Sequence, residues 1–298
     1  MNLSSNVPEK NASGVLGSSY SRRHRLLRWP IFSLVVLFVM ICLAVFAPII
    51  VPHDENLGFL EDRHQPPVLF GGTSNHILGT DSLGRDVFSR VVYGARISML
   101  SALTALVIGG AIGTALGIFA GYMGGWVDEL IMRLVDVKFS IPLILIAFAM
   151  VVIFSPSFGL LIGLLTMFVW GQFTRQVRAE VLVIKTTDYV AAARTWGASP
   201  AQIMYRHIFP GVISTVLMIA TFQSGAVILA EATLSFLGAG VPPPSPSWGA
   251  MIADGRLYLD TAWWVSLAPG IAMGLFIAAI TLLGDWLRDY WDPKLRQL

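Results

Sequence analysis

The sequence predicts an all-α integral membrane protein with six transmembrane helices. Three observations carry that expectation. The chain of 298 residues is 55% hydrophobic and only 13% charged, against about a quarter charged in soluble domains. Its charged residues are gathered between five long uncharged tracts, residues 29–53, 97–127, 139–174, 207–230 and 261–284. The tracts also lack the residue-by-residue alternation of a membrane barrel, which leaves helices as the structure that satisfies its backbone in lipid.

Four of these tracts have the length of one crossing, because a hydrocarbon core of ~30 Å takes about 20 residues at ~1.5 Å each. The tract 139–174 is too long for one helix and is interrupted by Ser155-Pro156-Ser157. Proline lacks a backbone donor and disfavours helix at the residue before it, so this tripeptide reads as a tight turn between two short helices. The spans are therefore placed near 30–51, 95–120, 136–154, 158–175, 212–237 and 263–284.

Six spans bring both termini to one side, and the basic residues say which. With the N-terminus inside, fifteen Lys and Arg fall in cytoplasmic segments and five, Arg63, Arg85, Arg90, Arg96 and Arg256, fall outside. That is the positive-inside pattern of a multi-pass plasma or inner-membrane protein with cytoplasmic termini. The first tract is too long for the apolar stretch of a cleaved signal peptide, follows a long polar arm and has no small-residue cleavage site after it. The chain divides into a cytoplasmic arm 1–28, of which the Ser-, Asn- and Gly-rich residues 1–21 are expected to be disordered, a first helix 29–53, an outer segment 54–94, a core 95–290 and a cytoplasmic tail 291–298. Within the core, 121–135 reads as a short inner connection, 176–211 as an inner loop and 238–262 as an outer loop. A net charge of +2 is too small for a nucleic-acid binder. The single cysteine, Cys42, excludes disulfide frameworks, cysteine-rich zinc sites and iron–sulfur clusters.

The inner loop 176–211 carries the unusual local content. Asp188 reads as an N-cap, followed by good helix formers through Trp196. Gly197 suits a left-handed helix terminus, where a Cβ would clash. Ser199 then caps a second helix with Pro200 in its first position, and Pro210 is expected to end that helix before the fifth span. The expectation is a hairpin of two short helices. Ala191, Ala192 and Ala193 keep the first helix thin enough for a partner's groove. Ile203, Met204, Ile208 and Phe209 are free to pack into a partner or back onto the spans.

This loop resembles the coupling motif of ABC-importer permeases, Glu-Ala-Ala followed three residues later by Gly and further on by Pro. Ala192, Ala193, Gly197 and Pro210 match it, and Ala191 stands where the glutamate would be. The stretches His76-Ile-Leu-Gly-Thr-Asp-Ser-Leu-Gly-Arg-Asp-Val-Phe-Ser-Arg90, Tyr93-Gly-Ala-Arg96 and Glu231-Ala-Thr-Leu-Ser-Phe-Leu-Gly238 are similar to the dipeptide and oligopeptide (DppC/OppC-like) permeases, as are Pro269-Gly270, Leu283 to Asp289 and Asp292-Pro293. The resemblance covers residues from about 30 to 296. It implies the type I ABC importer transmembrane fold and a permease subunit for di- or oligopeptides. The implied partners are a homologous permease, two cytoplasmic ATP-binding subunits, an extracytoplasmic substrate-binding protein and the bilayer. ATPase coupling would rest on Ala191, Ala192, Ala193, Trp196, Gly197, Ala198, Ile203 and Pro210. The chain has no GxxxxGK[ST] loop, so ATP and its magnesium would be held by the partners, and no cofactor is expected here.

Glu231 is the one acidic residue well inside a span. A charge near a helix centre costs roughly 2.5–3.5 kcal/mol, so such residues face a bundle or cavity. Protonation, pairing to an arginine such as Arg96, or a place along the path are all open. Gly109, Gly113, Gly117 and Gly121 recur four apart on the second span, with Gly110 beside them, and form a smooth ridge for close helix packing. Thr80 to Asp86 reads as a capped start to that helix or a contact for a docked binding protein. Trp263, Trp264, Trp286 and Trp291 read as interface anchors. His53, His64 and His76 share the outer segment, but their spacing matches no ligand pattern, and no metal site is expected.

Other functions fit less well. An intramembrane peptidase needs a buried nucleophile–histidine pair, two membrane aspartates or an HExxH helix, and none is present. An ion-driven secondary transporter would show several intramembrane charges and interrupted helices in matching halves. The same importer architecture carrying nickel or another small solute stays open.

Overall fold

The computed structural model describes residues 31–291. The expected arm 1–28 and the tail beyond residue 291 lie outside the described residues. Regular structure among the described residues is entirely helical, with two isolated bridges, Gly58 to Arg85 and Thr80 to Asp86. The order is α1 (Ile31–Val45), α2 (Ala47–Ile50), α3 (Val87–Met123), α4 (Gly125–Ser140), α5 (Leu143–Phe154) and α6 (Phe158–Ile184). There follow α7 (Asp188–Thr195), α8 (Pro200–Ile203), a π-turn (Met204–Ile208) and α9 (Phe209–Phe236). The last are α10 (Trp248–Gly255) and α11 (Trp264–Trp291).

Four helices are long and apolar enough to cross a bilayer, or five if the bent pair α4–α5 counts as one crossing, and α1 is shorter. The expected third span, 136–154, is not one helix. Pro142 cannot donate into the turn before it, and the chain bends by 84° between α4 and α5. The expected inner connection 121–135 is also helical for most of its length. Gly124, at φ +65°, turns the chain out of α3 and straight into α4. The turn at Ser155-Pro156-Ser157 is present: α5 ends at Phe154, and Ser157 caps α6 by accepting from the Leu160 N–H at 3.1 Å. Helix α6 then continues to Ile184, so the first part of the expected loop 176–211 belongs to it.

The centre of the fold is the pair α3 and α6. The glycine ridge makes it close. A Cβ on Gly113 would lie 2.3 Å from the Trp170 carbonyl oxygen, one on Gly117 2.8 Å from that of Thr174, and one on Gly121 2.8 Å from Val181 Cβ. The two backbones therefore touch where small residues permit it. Around this pair, α9 packs on α3 and α6, and α11 packs on α9. Leu161, Leu165, Val169, Phe173, Val177, Ile219 and Ile228 are buried between them. The outward faces carry exposed apolar side chains such as Phe38, Leu103, Val107, Val152 and Ile153. An outward-facing apolar belt of this kind suits a hydrocarbon solvent.

The helix ends sort into two poles. At one lie the loop 51–86, the start of α3, the end of α9, α10 and the start of α11. At the other lie the end of α3, the start of α4, the end of α6, α7, α8 and the start of α9.

Candidate functional site

The second pole carries the helical hairpin. Helix α7 starts one residue earlier in its cap than expected: Thr187 is the N-cap, and Asp188 lies in the first turn beside the positive end of the dipole. At its other end Gly197 takes φ +80°. The Gly197 N–H donates to the Arg194 carbonyl at 3.0 Å and the Ala198 N–H to that of Ala193 at 3.1 Å. This double closure satisfies the last carbonyls and requires a left-handed residue at position 197. Ser199 caps α8 by accepting from the Gln202 N–H at 3.3 Å, with Pro200 first in the helix.

Pro210 does not end the second helix, as expected from sequence. The Phe209 N–H bonds back five residues to the Met204 carbonyl, and the resulting π-turn carries α8 into α9 as one rod, Pro200–Phe236. The wider turn makes room where Pro210 enters the first turn of α9 without a donor. Hairpin and membrane helix are thus mechanically continuous.

Burial divides the expected coupling residues. Ala191, Ala192, Gly197 and Pro210 are exposed, and Trp196 at the tip is 89% exposed. Tyr205, which sequence reasoning did not single out, is 74% exposed and stacks at 6.4 Å on Phe209. Ala193 and Ala198 are partly buried against the core. Ile203 is 1% exposed, so it holds the hairpin to the bundle and has no face for a partner. With Val190 and Ile208 it seats the hairpin on the helix ends, while the Arg194 guanidinium lies 5.4 Å over the Tyr122 ring of α3. Beside the hairpin, Arg178 on α6 grips Asp128 on α4 through two hydrogen bonds, and the Lys185 ammonium donates to the Gly121 carbonyl at 2.8 Å.

Glu231 is fully buried and is not paired with Arg96, whose side chain is exposed. Its carboxylate accepts from the Ser98 hydroxyl at 2.9 Å and the Ser235 hydroxyl at 2.7 Å. The Ser98 oxygen in turn accepts from the Trp248 N–H at 3.3 Å, and the Trp248 indole donates to the Val91 carbonyl at 3.0 Å. One polar network thus ties α9, α3 and α10 together, as a buried polar group requires.

Thr80 to Asp86 starts α3, as expected. Asp86 caps it by accepting from the Ser89 N–H at 2.8 Å, and Asp81 holds the preceding turn through the Leu83 and Arg85 N–H groups and the Arg85 guanidinium at 2.7 Å. Asp254 of α10 sits 4.0 Å from Arg85; partial burial raises its carboxyl above the ordinary value, against the pull of Arg90 and Arg85. Trp264 is not an interface anchor. It is buried, and its indole donates to the Thr80 carbonyl at 3.1 Å. His53 and His76, whose spacing matches no ligand pattern, are brought together at this pole with Asp86, their ligating atoms within 4.8 Å of one another.

A bundle of long apolar helices with a helical hairpin at one pole is the form of a polytopic membrane protein. The chain belongs to the family of binding-protein-dependent transport system inner membrane components, whose model matches residues 113–297. A second model, the N-terminal TM domain of oligopeptide transport permease C, matches residues 22–67. A Brucella abortus protein named, provisionally, as a peptide transport system permease is 42% identical over 282 residues, covering 95% of this chain and 92% of that protein. A glutathione transport system permease protein of Pectobacterium atrosepticum is 40% identical over 274 residues, covering 91% and 90%. Its Escherichia coli O6:K15:H31 counterpart is 41% identical over 276 residues, covering 92% and 89%. The chain is accordingly a permease subunit of an ABC importer and not an enzyme, and it resides in the inner membrane. Membership of a binding-protein-dependent system implies an ATPase and a substrate-binding protein as partners.

Proposed function

We propose that this permease forms half of a translocation path for di- and oligopeptides, closed by a second, homologous permease, and that its hairpin seats one of two cytoplasmic ATP-binding subunits. The observation that carries the reading is the hairpin tip. Trp196 and Gly197 project into solvent from a turn whose geometry is fixed by backbone hydrogen bonds, on a rod continuous with a membrane helix. A push on that tip is passed to α9 without a flexible joint. ATP and magnesium stay on the partners.

In this reading the chain crosses the membrane six times. The helix α1 and the bent pair α4–α5 each count as a crossing, and both termini are cytoplasmic, supported by the excess of Lys and Arg on the hairpin side. The loop-rich pole then faces outward, toward the substrate-binding protein. The apolar groove along α3 and α9, lined by Leu103, Val107, Ala111, Leu217 and Thr221, goes to the second permease. Peptides are the favoured solute because the relatives are named for peptide and glutathione transport, and glutathione is itself a small peptide.

The test uses the complete importer reconstituted in vesicles. Trp196→Ala should weaken retention of the ATPase on the purified permease pair. Gly197→Val, which forces a branched residue to φ +80° at a cost of about 1–2 kcal/mol, should lower peptide uptake per ATP hydrolysed. Normal ATPase retention and normal coupling in both variants would remove the hairpin from the mechanism.

A further inference from the structure

We propose that His53, His76 and Asp86 bind one divalent transition-metal ion, best matched by zinc, which fastens the chain leaving α2 to the first turn of α3. The donor set is chemically suited to it: two imidazoles and one carboxylate are what zinc takes from proteins, with a fourth position left for water. The ligating atoms lie within 4.8 Å of one another, and His76 Nδ1 is already 3.0 Å from Asp86 Oδ1. Donors around a tetrahedral ion with bonds of ~2.0–2.1 Å stand roughly 3.3 Å apart. The widest separation, which involves His53, therefore has to shorten by only about 1.5 Å on binding.

Two further features distinguish this cluster from a chance meeting of side chains. Asp86 is held by its other oxygen, which accepts from the Ser89 N–H at 2.8 Å and the Ser89 hydroxyl at 2.7 Å. A carboxylate anchored on one oxygen and open on the other is the arrangement that orients a metal ligand. His53 Nδ1 is fully enclosed and has no hydrogen-bond partner among the described residues, although its ring lies 4.8 Å from that of His76. Buried polar atoms are nearly always satisfied, and an ion bound through Nδ1 would satisfy it.

The placement gives the ion a job. His53 lies in the segment matched by the N-terminal model, residues 22–67, while Asp86 caps the helix that runs into the core match, residues 113–297. A shared ion would cross-link the two, adding a side-chain tie to a loop already closed by backbone bonds such as Val87 N–H to the Gly79 carbonyl at 3.0 Å. The inference does not depend on the solute carried.

The experiment takes the full-length chain, purified in detergent with a tag free of histidine and stripped with a chelator. Zinc is titrated by calorimetry, and bound zinc is counted after gel filtration. One ion per chain is expected, raising the melting temperature. His53→Gln and His76→Gln should each weaken binding at least ~10-fold and abolish that rise, whereas His64→Gln should leave both unchanged. Asp86→Asn, whose amide oxygen still caps α3, should weaken binding without unfolding the helix. Absence of stoichiometric zinc in the wild-type chain, or equal binding by the His53→Gln chain, overturns the proposal. If a variant does not fold, X-ray absorption on the wild-type chain decides: two imidazole ligands uphold the site, and none refutes it.

Discussion

The contact of α3 with α6 gives the most quantitative expectation. A Cβ on Gly113 would sit 2.3 Å from the Trp170 carbonyl oxygen and 2.7 Å from Phe173 Cβ. Ordinary carbon–oxygen contact begins near ~3.4 Å, so the helix backbones must separate by roughly 1 Å to admit a methyl group. The obstacle is backbone, and no side-chain rotation relieves it. Overpacking of this kind costs about 1–3 kcal/mol, partly offset by the gain of about 1 kcal/mol that alanine brings to a helix interior. A net loss of about 0–2 kcal/mol is expected for Gly113→Ala. Gly163 on α6 supplies the control, because a Cβ there meets nothing within 4 Å, and Gly163→Ala should be neutral or stabilising by up to about 1 kcal/mol. Thermal unfolding of both variants in the same detergent measures the difference. Equal stability of the two would refute the claim that the glycine ridge sets the spacing of the central pair.

Two other expectations follow from buried and half-buried charges. Glu231→Gln keeps an acceptor for one of the Ser98 and Ser235 hydroxyls and offers its NH2 to the oxygen of the other, and should assemble at near wild-type levels. Glu231→Leu leaves Ser98 without that partner at the junction with Trp248, a loss of about 1–3 kcal/mol, and should lower the yield of monodisperse protein on gel filtration. For the charge pairs between α4 and α6, a double-mutant cycle on Asp128 and Arg178 should give a coupling near ~1 kcal/mol, since the pair is bidentate and mostly shielded. The more exposed pair of Asp136 and Arg175 should couple by less than about 0.5 kcal/mol, and the reverse order would contradict the geometry.

Elements governed by nearest-neighbour chemistry were legible along the chain. The turn at Ser155-Pro156-Ser157, the left-handed Gly197, the cap at Ser199 and the glycine ridge of α3 all stand where residue type places them. Proline was a less reliable sign. Pro210 looked like a stop, but a π-turn absorbed it, whereas Pro142, inside an apolar run that looked continuous, coincides with the 84° bend. Whether a missing donor breaks a helix depends on whether the surrounding packing lets the turn widen, and that information is not local.

What the sequence alone determined is what hydrophobicity and backbone chemistry impose: a helical, membrane-embedded chain, its capped hairpin and the face by which α3 approaches a neighbour. Burial and partnership were decided only in three dimensions. Ile203 turned inward while Trp196 turned out, Glu231 found serines in place of Arg96, Trp264 pinned the loop before α3, and His53 met Asp86 at the start of that helix. The physical reason is that hydropathy is a property of each segment by itself, whereas a buried polar group is satisfied by whichever distant donor or acceptor the packed helices bring within about 3 Å.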